Sequence, residues 1–360
     1  MKTTKTTRLV VCCYKQDIEV VNIKGPNPFT PWEDKPGNIY GRKDESIIFK
    51  AFLNAASSKQ PGVLIVTAIP GLGKTSLMRY FKGLAEKEGM FAPFVKAEKG
   101  ESMEVVVDKL YHEILTVPGS FGIGKKAPAS FDELVKRLRL GTRYFGVVFF
   151  IDDIDNMKKA EDEIMRLTES LKSVWKKKNI SFVLSSTKEF RIKSDVVRTV
   201  VLKPLDEHDA RAFVEKSLKE SKLKMGEECR RSIMNDTQGN PRLFKSVCRY
   251  IYDRLRDDEK IMTKRHYLAY LPYIMGMFSR EWFGRMYQET PPAEREILIV
   301  LAKNEEGMHV SDIAEELGKP LGPVTALTRR LLDRGQIIKL GRGKYRIFAK
   351  LYAKYVMQRA

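Results

Sequence analysis

The residues best suited to chemistry lie in two short runs. The first is Ala68-Ile69-Pro70-Gly71-Leu72-Gly73-Lys74-Thr75, preceded by the apolar run Val63–Thr67 and followed by Ser76–Leu84, which can continue as a helix. A glycine-rich turn between a strand and a helix presents successive backbone N–H groups, here at Gly71–Thr75, to phosphate oxygens at the helix N-terminus. Lys74 is spaced to reach the β and γ phosphates of a nucleoside triphosphate, and the Thr75 hydroxyl to coordinate Mg2+. Ala68 occupies a position that asks for smallness more than for a special dihedral. The second run is Val147-Val148-Phe149-Phe150-Ile151-Asp152-Asp153, an unalternating apolar strand that ends in two carboxylates. Asp152 is placed to hold the Mg2+ shell, and Asp153 to orient or deprotonate an attacking water.

Other elements must hold these runs together. Val63–Thr67, Phe91–Ala97, Val147–Ile151, Ser181–Ser185 and Thr199–Leu202 read as strands. Lys74–Lys87, Ser102–Thr116, Phe131–Leu138 and Glu161–Lys176 read as the helices between them. Strands separated by helices require crossover connections, and so a mostly parallel sheet covered on both faces. Arg8–Tyr14 and Ile18–Ile23 are β-prone and predict an N-terminal hairpin, with a Pro-rich link after them. From Asp206 to Gln288 the pattern is helical throughout. The expected organisation is an N-terminal extension over 1–35, an α/β nucleotide-binding domain over 36–205, a helical lid and linker over 206–290, and a C-terminal domain over 291–360.

In this order the motifs resemble the AAA+ ATPases and the related STAND-type NTPases, with Ala68–Thr75 as Walker A and Asp152-Asp153 as Walker B. Ile39-Tyr40-Gly41-Arg42-Lys43-Asp44-Glu45 is similar to the box that precedes the P-loop in both groups and lies near the adenine. The resemblance implies a cofactor set of ATP and Mg2+. It implies binding residues at Gly41, Arg42, Pro70, Gly71, Leu72, Gly73, Lys74, Thr75, Ser76 and Pro241. It assigns Thr187, chosen over Ser186, to sensor 1, and Arg242 in Gly239-Asn240-Pro241-Arg242 to sensor 2. An arginine finger acting on a neighbouring copy would fall between the sensors, where Arg191 and Arg198 both lie, and implies a homo-oligomer. Asp153 stands where many AAA+ enzymes carry glutamate. The shorter carboxylate implies slow, switch-like hydrolysis.

The last 70 residues read as helices Ala293–Lys303, Val310–Leu317 and Gly322–Asp333, then strands Ile337–Leu340 and Tyr345–Phe348 around Gly341-Arg342-Gly343-Lys344. This resembles a winged helix-turn-helix. In that module the third helix enters the DNA major groove and the wing tip meets phosphates, which implies contacts from Thr325, Thr328, Arg329, Arg342 and Lys344. The segment carries 13 Lys+Arg against 8 Asp+Glu, and the whole chain 65 against 46, a formal net charge of +19. An excess of that size favours a polyanionic partner such as double-stranded DNA. An AAA+ module followed by a winged helix is similar to the archaeal origin-recognition initiators and equally to the AAA+ proteins of archaeal plasmids, viruses and transposons, and so implies a part in DNA replication, in transposition or in regulation. The rival expectation is a STAND-type regulatory switch whose winged helix binds protein. No apolar run approaches the ~20 residues of a membrane helix, four cysteines make no disulfide framework, and the expected setting is soluble and cytoplasmic.

Overall fold

The computed structural model describes residues 25–30, 39–58, 60–117, 123–124, 126–139, 143–174, 178–221, 223–256 and 258–360. The expected N-terminal hairpin lies outside the described residues. In chain order the α/β part comprises α1 (Lys43–Ser57), β1 (Val63–Thr67), α2 (Lys74–Lys87), β2 (Met90–Phe91), β3 (Phe94–Lys96), α3 (Met103–Leu115), α4 (Phe131–Arg137), β4 (Gly146–Asp152), α5 (Ala160–Val174), β5 (Ile180–Ser186) and β6 (Val197–Val201). The helical part comprises α6 (Glu207–Leu218), β7 (Lys224–Met225), α7 (Glu227–Thr237), α8 (Pro241–Arg254), β8 (Ile261–Met262), α9 (Lys264–Phe278), a π-helical turn (Ser279–Phe283) and α10 (Gly284–Gln288). The C-terminal module follows as α11 (Pro292–Lys303), β9 (Met308–His309), α12 (Val310–Glu316), α13 (Leu321–Asp333), β10 (Ile337–Gly341), β11 (Lys344–Ile347) and α14 (Lys350–Met357).

The main sheet is parallel in every described pairing. Its order is β2-β4-β5-β1-β6, with β3 also pairing β4. The expected strand over Phe91–Ala97 is interrupted at Ala92-Pro93, where proline offers no N–H to the ladder. Strands β1, β4 and β5 are buried along their whole length, as strands covered on both faces must be. One apolar layer, from α3, α4 and α5, covers one face. The other is covered by α1 and α2, where Phe49 and Phe81 stack with ring centroids 4.0 Å apart. The chain thus has the P-loop NTPase fold, an α/β architecture with a parallel sheet and flanking helices.

The reading of continuous helix after Asp206 needs one correction, because β7 and β8 form a small parallel pair inside that region. In the C-terminal module β9, β10 and β11 make a three-stranded antiparallel sheet beside α11, α12 and α13. Helix α14 carries Leu351, Tyr352, Tyr355 and Val356 inward and adds a fourth helix to the three expected.

The helical part and the C-terminal module share one core. Phe283 is fully buried and meets Phe278 and Tyr352, with ring centroids 5.1 Å away in each case. Polar contacts cross the same boundary. Asp236, itself held by Tyr267 within the helical part, accepts from Lys354 at 2.9 Å, and Thr290 Oγ1 bonds Gln336 Oε1 at 3.1 Å. A ring at such a junction stabilises both parts at once. Phe283→Ala should therefore cost about 3–5 kcal/mol, read as a lower urea midpoint. Fluorescence and circular dichroism should report the same single shift. A transition of the C-terminal module left at its original midpoint would refute the shared core.

Candidate nucleotide site

The loop between β1 and α2 is held by its carbonyls. Ala68 O accepts from Lys74 Nζ at 2.8 Å, Pro70 O from Asn240 Nδ2 at 3.0 Å, and Gly71 O from the Arg242 N–H at 3.2 Å. Leu72 O accepts from Arg42 Nη2 at 2.9 Å, while Ile69 O and Gly73 O accept from the Leu72 and Leu77 N–H groups. Six successive carbonyls are therefore satisfied by protein donors. With the carbonyls so occupied, the loop offers its N–H groups to an anion at the start of α2.

Gly71 and Gly73 sit at φ +86° and +89°. At Gly71 the space is closed as well, since an added Cβ would lie 2.5 Å from Asn240 Oδ1 and 2.9 Å from the Trp282 ring. Asn240 does two jobs. Its Oδ1 caps the Leu243 N–H at the start of α8 while its Nδ2 grips the loop.

Lys74 is buried, and its Nζ also donates to Thr187 Oγ1 at 3.2 Å. Burial lowers its pKa, and the facing carboxylates of Asp153, Asp155 and Asp152 pull it back up. Thr75 Oγ1 donates to Asp152 Oδ2 at 2.7 Å. Asp152 is fully buried, and its pKa is raised by burial and by the neighbouring Asp153. Hydrogen bonds from Ser185 and Thr75 oppose that rise. The Ser185 hydroxyl donates to Asp152 Oδ1 and accepts from the Asp153 N–H at 2.8 Å. Asp153 holds a left-handed conformation, φ +54°, with Lys96 Nζ 3.3 Å from its carboxylate. Asp155 Oδ1 accepts from the Thr187 N–H at 3.1 Å.

Lys74, Thr75, Asp153, Asp155 and Thr187 line a polar cleft of about 370 Å3, to which Pro70, Gly71, Gly73, Ser76, Pro241 and Arg242 also contribute, while Asp152 and Ser185 lie buried behind it. Beside it lies an apolar slot between Tyr40, Leu77, Leu205 and Phe213, bordered by Arg42, Leu72 and Pro241. A polar cleft at a helix N-terminus next to an aromatic-lined slot suits a phosphate chain and the base attached to it. The oxygen pair of Thr75 and Asp152, already in contact, is the donor set a divalent cation of Mg2+ type takes.

Most residues singled out from the sequence meet here. Arg42 does so indirectly, because its guanidinium is spent on Leu72 O and on Lys203 O at 2.8 Å. It stiffens the loop. Gly41 packs against Asp209, whose carboxylate an added Cβ would meet at 2.3 Å. The Leu72 side chain points into the core beneath the loop. Arg242 lies over the Trp282 ring at 4.4 Å while lining the cleft. Arg191 and Arg198 are exposed and absent from the cleft's lining, Arg198 from mid-strand in β6. Ser185, Asp155, Lys96, Asn240 and Trp282 were not anticipated as site residues. Ser185 and Asn240 fall within motifs that the sequence does display, whereas Trp282 arrives through tertiary packing alone.

In the C-terminal module Thr325, Arg329 and Arg342 are exposed, and Lys344 is half-buried. Thr328 requires correction. It is 1% exposed, with its hydroxyl bonded to Val324 O at 2.7 Å, and it faces the module's core rather than a groove of DNA.

Residues 57–192 match a family model described as AAA domain. Residues 280–356 match a second model, described as a domain of unknown function (DUF8462), so the match begins before Pro291 and takes in the π-helical turn that carries Trp282. No curated protein matches the chain. A Walker-type ATPase of Pyrococcus abyssi superposes with a TM-score of 0.70 at 17% identity, covering 92% of this chain and 99% of its own. The Orc1 protein of Aeropyrum pernix, solved in complex with DNA, gives 0.52 at 16% identity, covering 92% and 95%. Likeness at these identities speaks for the fold, and it extends over nearly the whole chain.

Lys74→Ala removes the cation from the cleft and the donor to Ala68 O. Titration calorimetry with ATP should show binding lost or weakened at least a hundredfold in this variant. Unchanged affinity would mean that the cleft does not take the phosphates.

Proposed function

We propose that this protein is an ATP-dependent DNA-binding AAA+ protein of initiator type, in which the Mg2+-ATP state sets how the lid and C-terminal module engage duplex DNA. One contact carries the proposal. Gly335, in the turn after α13, packs on the phosphate loop so closely that an added Cβ would lie 2.2 Å from Pro70 Cδ. The turn behind the exposed helix therefore rests on the loop that would bind the phosphates. The DNA in the Aeropyrum pernix complex supports the same reading for a protein of like fold.

On this reading residues 36–205 hold the nucleotide, 206–290 form the lid, and 291–360 act as a winged helix. The loop N–H groups and Lys74 bind the triphosphate, while Thr75 and Asp152 would hold Mg2+, which when bound draws charge from the γ-phosphate. Asp153 orients the attacking water and takes its proton, with its own carboxylate steadied by Lys96. Thr187 hydrogen-bonds the same water or the γ-phosphate. Arg242 reaches the phosphates from its seat on Trp282. Arg198, exposed on β6, serves a neighbouring copy as the arginine finger in a homo-oligomer. Thr325 and Arg329 on α13 meet base edges, and Arg342 and Lys344 on the β10–β11 hairpin meet phosphates.

One observation favours the STAND-type reading, in which the module binds protein. The outward side of α13 is partly apolar, with Leu321 52% exposed beside exposed Pro323 and Ala326.

Asp153→Asn should keep ATP affinity and slow hydrolysis by about 10²–10⁴-fold, the usual contribution of a positioned base. Normal turnover in that variant would remove Asp153 from the reaction. With duplex DNA, log affinity should fall with log salt, and Arg342→Ala and Lys344→Ala should each reduce the slope by ~0.9. Thr328→Ala should leave DNA affinity unchanged and lower stability by about 1 kcal/mol, the worth of a buried hydrogen bond. Intact ATPase activity with no DNA binding at low salt would transfer the protein to the STAND-type reading.

A further inference from the structure

A second groove lies in the helical part between α8 and α9. It encloses roughly 570 Å3 and shares no lining residue with the phosphate cleft. That volume falls in the range of small-molecule sites. We propose that this groove binds a nucleotide unit of single-stranded nucleic acid, through Ser246, Arg249, Tyr250, Arg254, Tyr273 and Arg280.

Ser246 gives the first indication. It is 2% exposed, lines the groove, and its hydroxyl has no hydrogen-bond partner among the described residues. A buried hydroxyl left unpaired is costly, and a phosphate or base oxygen in the groove would accept from it. The cations form the second. Arg254 lies over the Tyr250 ring at 3.5 Å and its Nη1 donates to Tyr250 O at 3.5 Å, so this guanidinium is held in place. Arg280 is exposed and makes no ion pair among the described residues.

The groove's lining sets Arg249, Arg254 and Arg280 against two acids, Asp253 and Glu281. Asp253 accepts from Asn27 Nδ2 at 2.7 Å and lies 3.8 Å from the groove's own Arg249 Nε. A positive excess remains. Tyr273, 65% exposed, offers an open ring at the rim. Exposed rings among arginines are the pattern that binds single strands, because an unpaired base can stack where a base pair cannot. The wall carrying Tyr273 is also distorted. Pro272 lies inside α9 and the π-helical turn follows directly, a departure from regular helix that recurs at functional positions.

The site goes beyond duplex binding by the C-terminal module and does not depend on it. The test uses the full chain and a short fluorescent oligothymidylate, followed by anisotropy, with a duplex of equal length as the comparison. Tyr273→Ala should raise the Kd for the single strand about tenfold, within the worth of one stacked base. Arg280→Gln should lower the salt slope by ~0.7, and Ser246→Ala should weaken the strand severalfold without lowering thermal stability. Duplex affinity and ATPase rate should stay at wild-type values in all three. Thymidine monophosphate separates a strand from a free nucleotide. Competition between the two probes supports the strand as ligand, whereas saturable monophosphate binding lost in Tyr273→Ala, without strand binding, supports the free nucleotide at the same groove. Strand binding insensitive to all three substitutions, or lost only with Arg342→Ala and Lys344→Ala, would overturn the proposal. Absence of duplex binding would count against the C-terminal module and leave these readouts unaffected.

Discussion

Every other feature of this molecule depends on how the carbonyls of residues 68–73 are satisfied. Carbonyls held by protein donors fix the peptide planes of the loop, and with them the direction in which its N–H groups face an anion. Here the donors come from widely separated places: Lys74 from the loop itself, Arg42 from before α1, and Asn240 and the Arg242 N–H from the start of α8. The loop is thus closed by the helical part of the chain. Pairing of Asn240 with Pro70 O fixes the position of α8, and the stacking of Arg242 on Trp282 fixes the π-helical turn. The turn in its turn carries Phe283 into the core of the C-terminal module.

The same chain of contacts explains the unusual conformations around the site. Asp153 is held left-handed, a costly state for a residue other than glycine, because its N–H is drawn to Ser185 Oγ while its carboxylate meets Lys96. Ser185 answers two needs with one hydroxyl, donating to the buried Asp152 and accepting from Asp153. Burial keeps Asp152 reluctant to ionise and Lys74 reluctant to stay charged. The two tendencies offset one another across a cleft in which carboxylates and ammonium face each other.

Local signals made the phosphate site readable in the sequence. A strand, a glycine turn and a helix in sequence order need no tertiary information, and β1 and α2 begin and end where the residue types indicate. The single strand expected over Phe91–Ala97 does not form, because Pro93 offers no N–H to the ladder and divides it into β2 and β3. Failures fell where distant packing decides. Thr328 was assigned to DNA from its place on a third helix, yet Val324, Thr328 and Leu331 share one face at helical spacing, and that face is the core. A threonine can join it because its hydroxyl bonds the carbonyl of Val324. Helix α14 is different, since Leu351, Tyr352, Tyr355 and Val356 make an amphipathic pattern within the sequence itself. Trp282 left no local mark, since its partners Gly71 and Arg242 lie far from it in sequence.

The shared core constrains how nucleotide could act on the C-terminal module. Helix α9, the π-helical turn and α10 run on without a break from Lys264 to Gln288, and α14 packs back on α7 through Lys354 and Asp236. A module tied to its neighbour by helix continuity, aromatic packing and buried hydrogen bonds does not pivot at residue 290. The chain passes from the sheet to this body where β6 leads into α6, over residues 202–206. There Arg42 holds Lys203 O, and Gly239 meets Leu205 so closely that an added Cβ would lie 2.3 Å from its carbonyl. Both of these contacts belong to residues that also touch, or directly precede, the groups gripping the phosphate loop. The helical part and the C-terminal module therefore share one packed core, and the connection that leads to them from the sheet is bonded to residues that also grip, or directly precede those that grip, the phosphate loop.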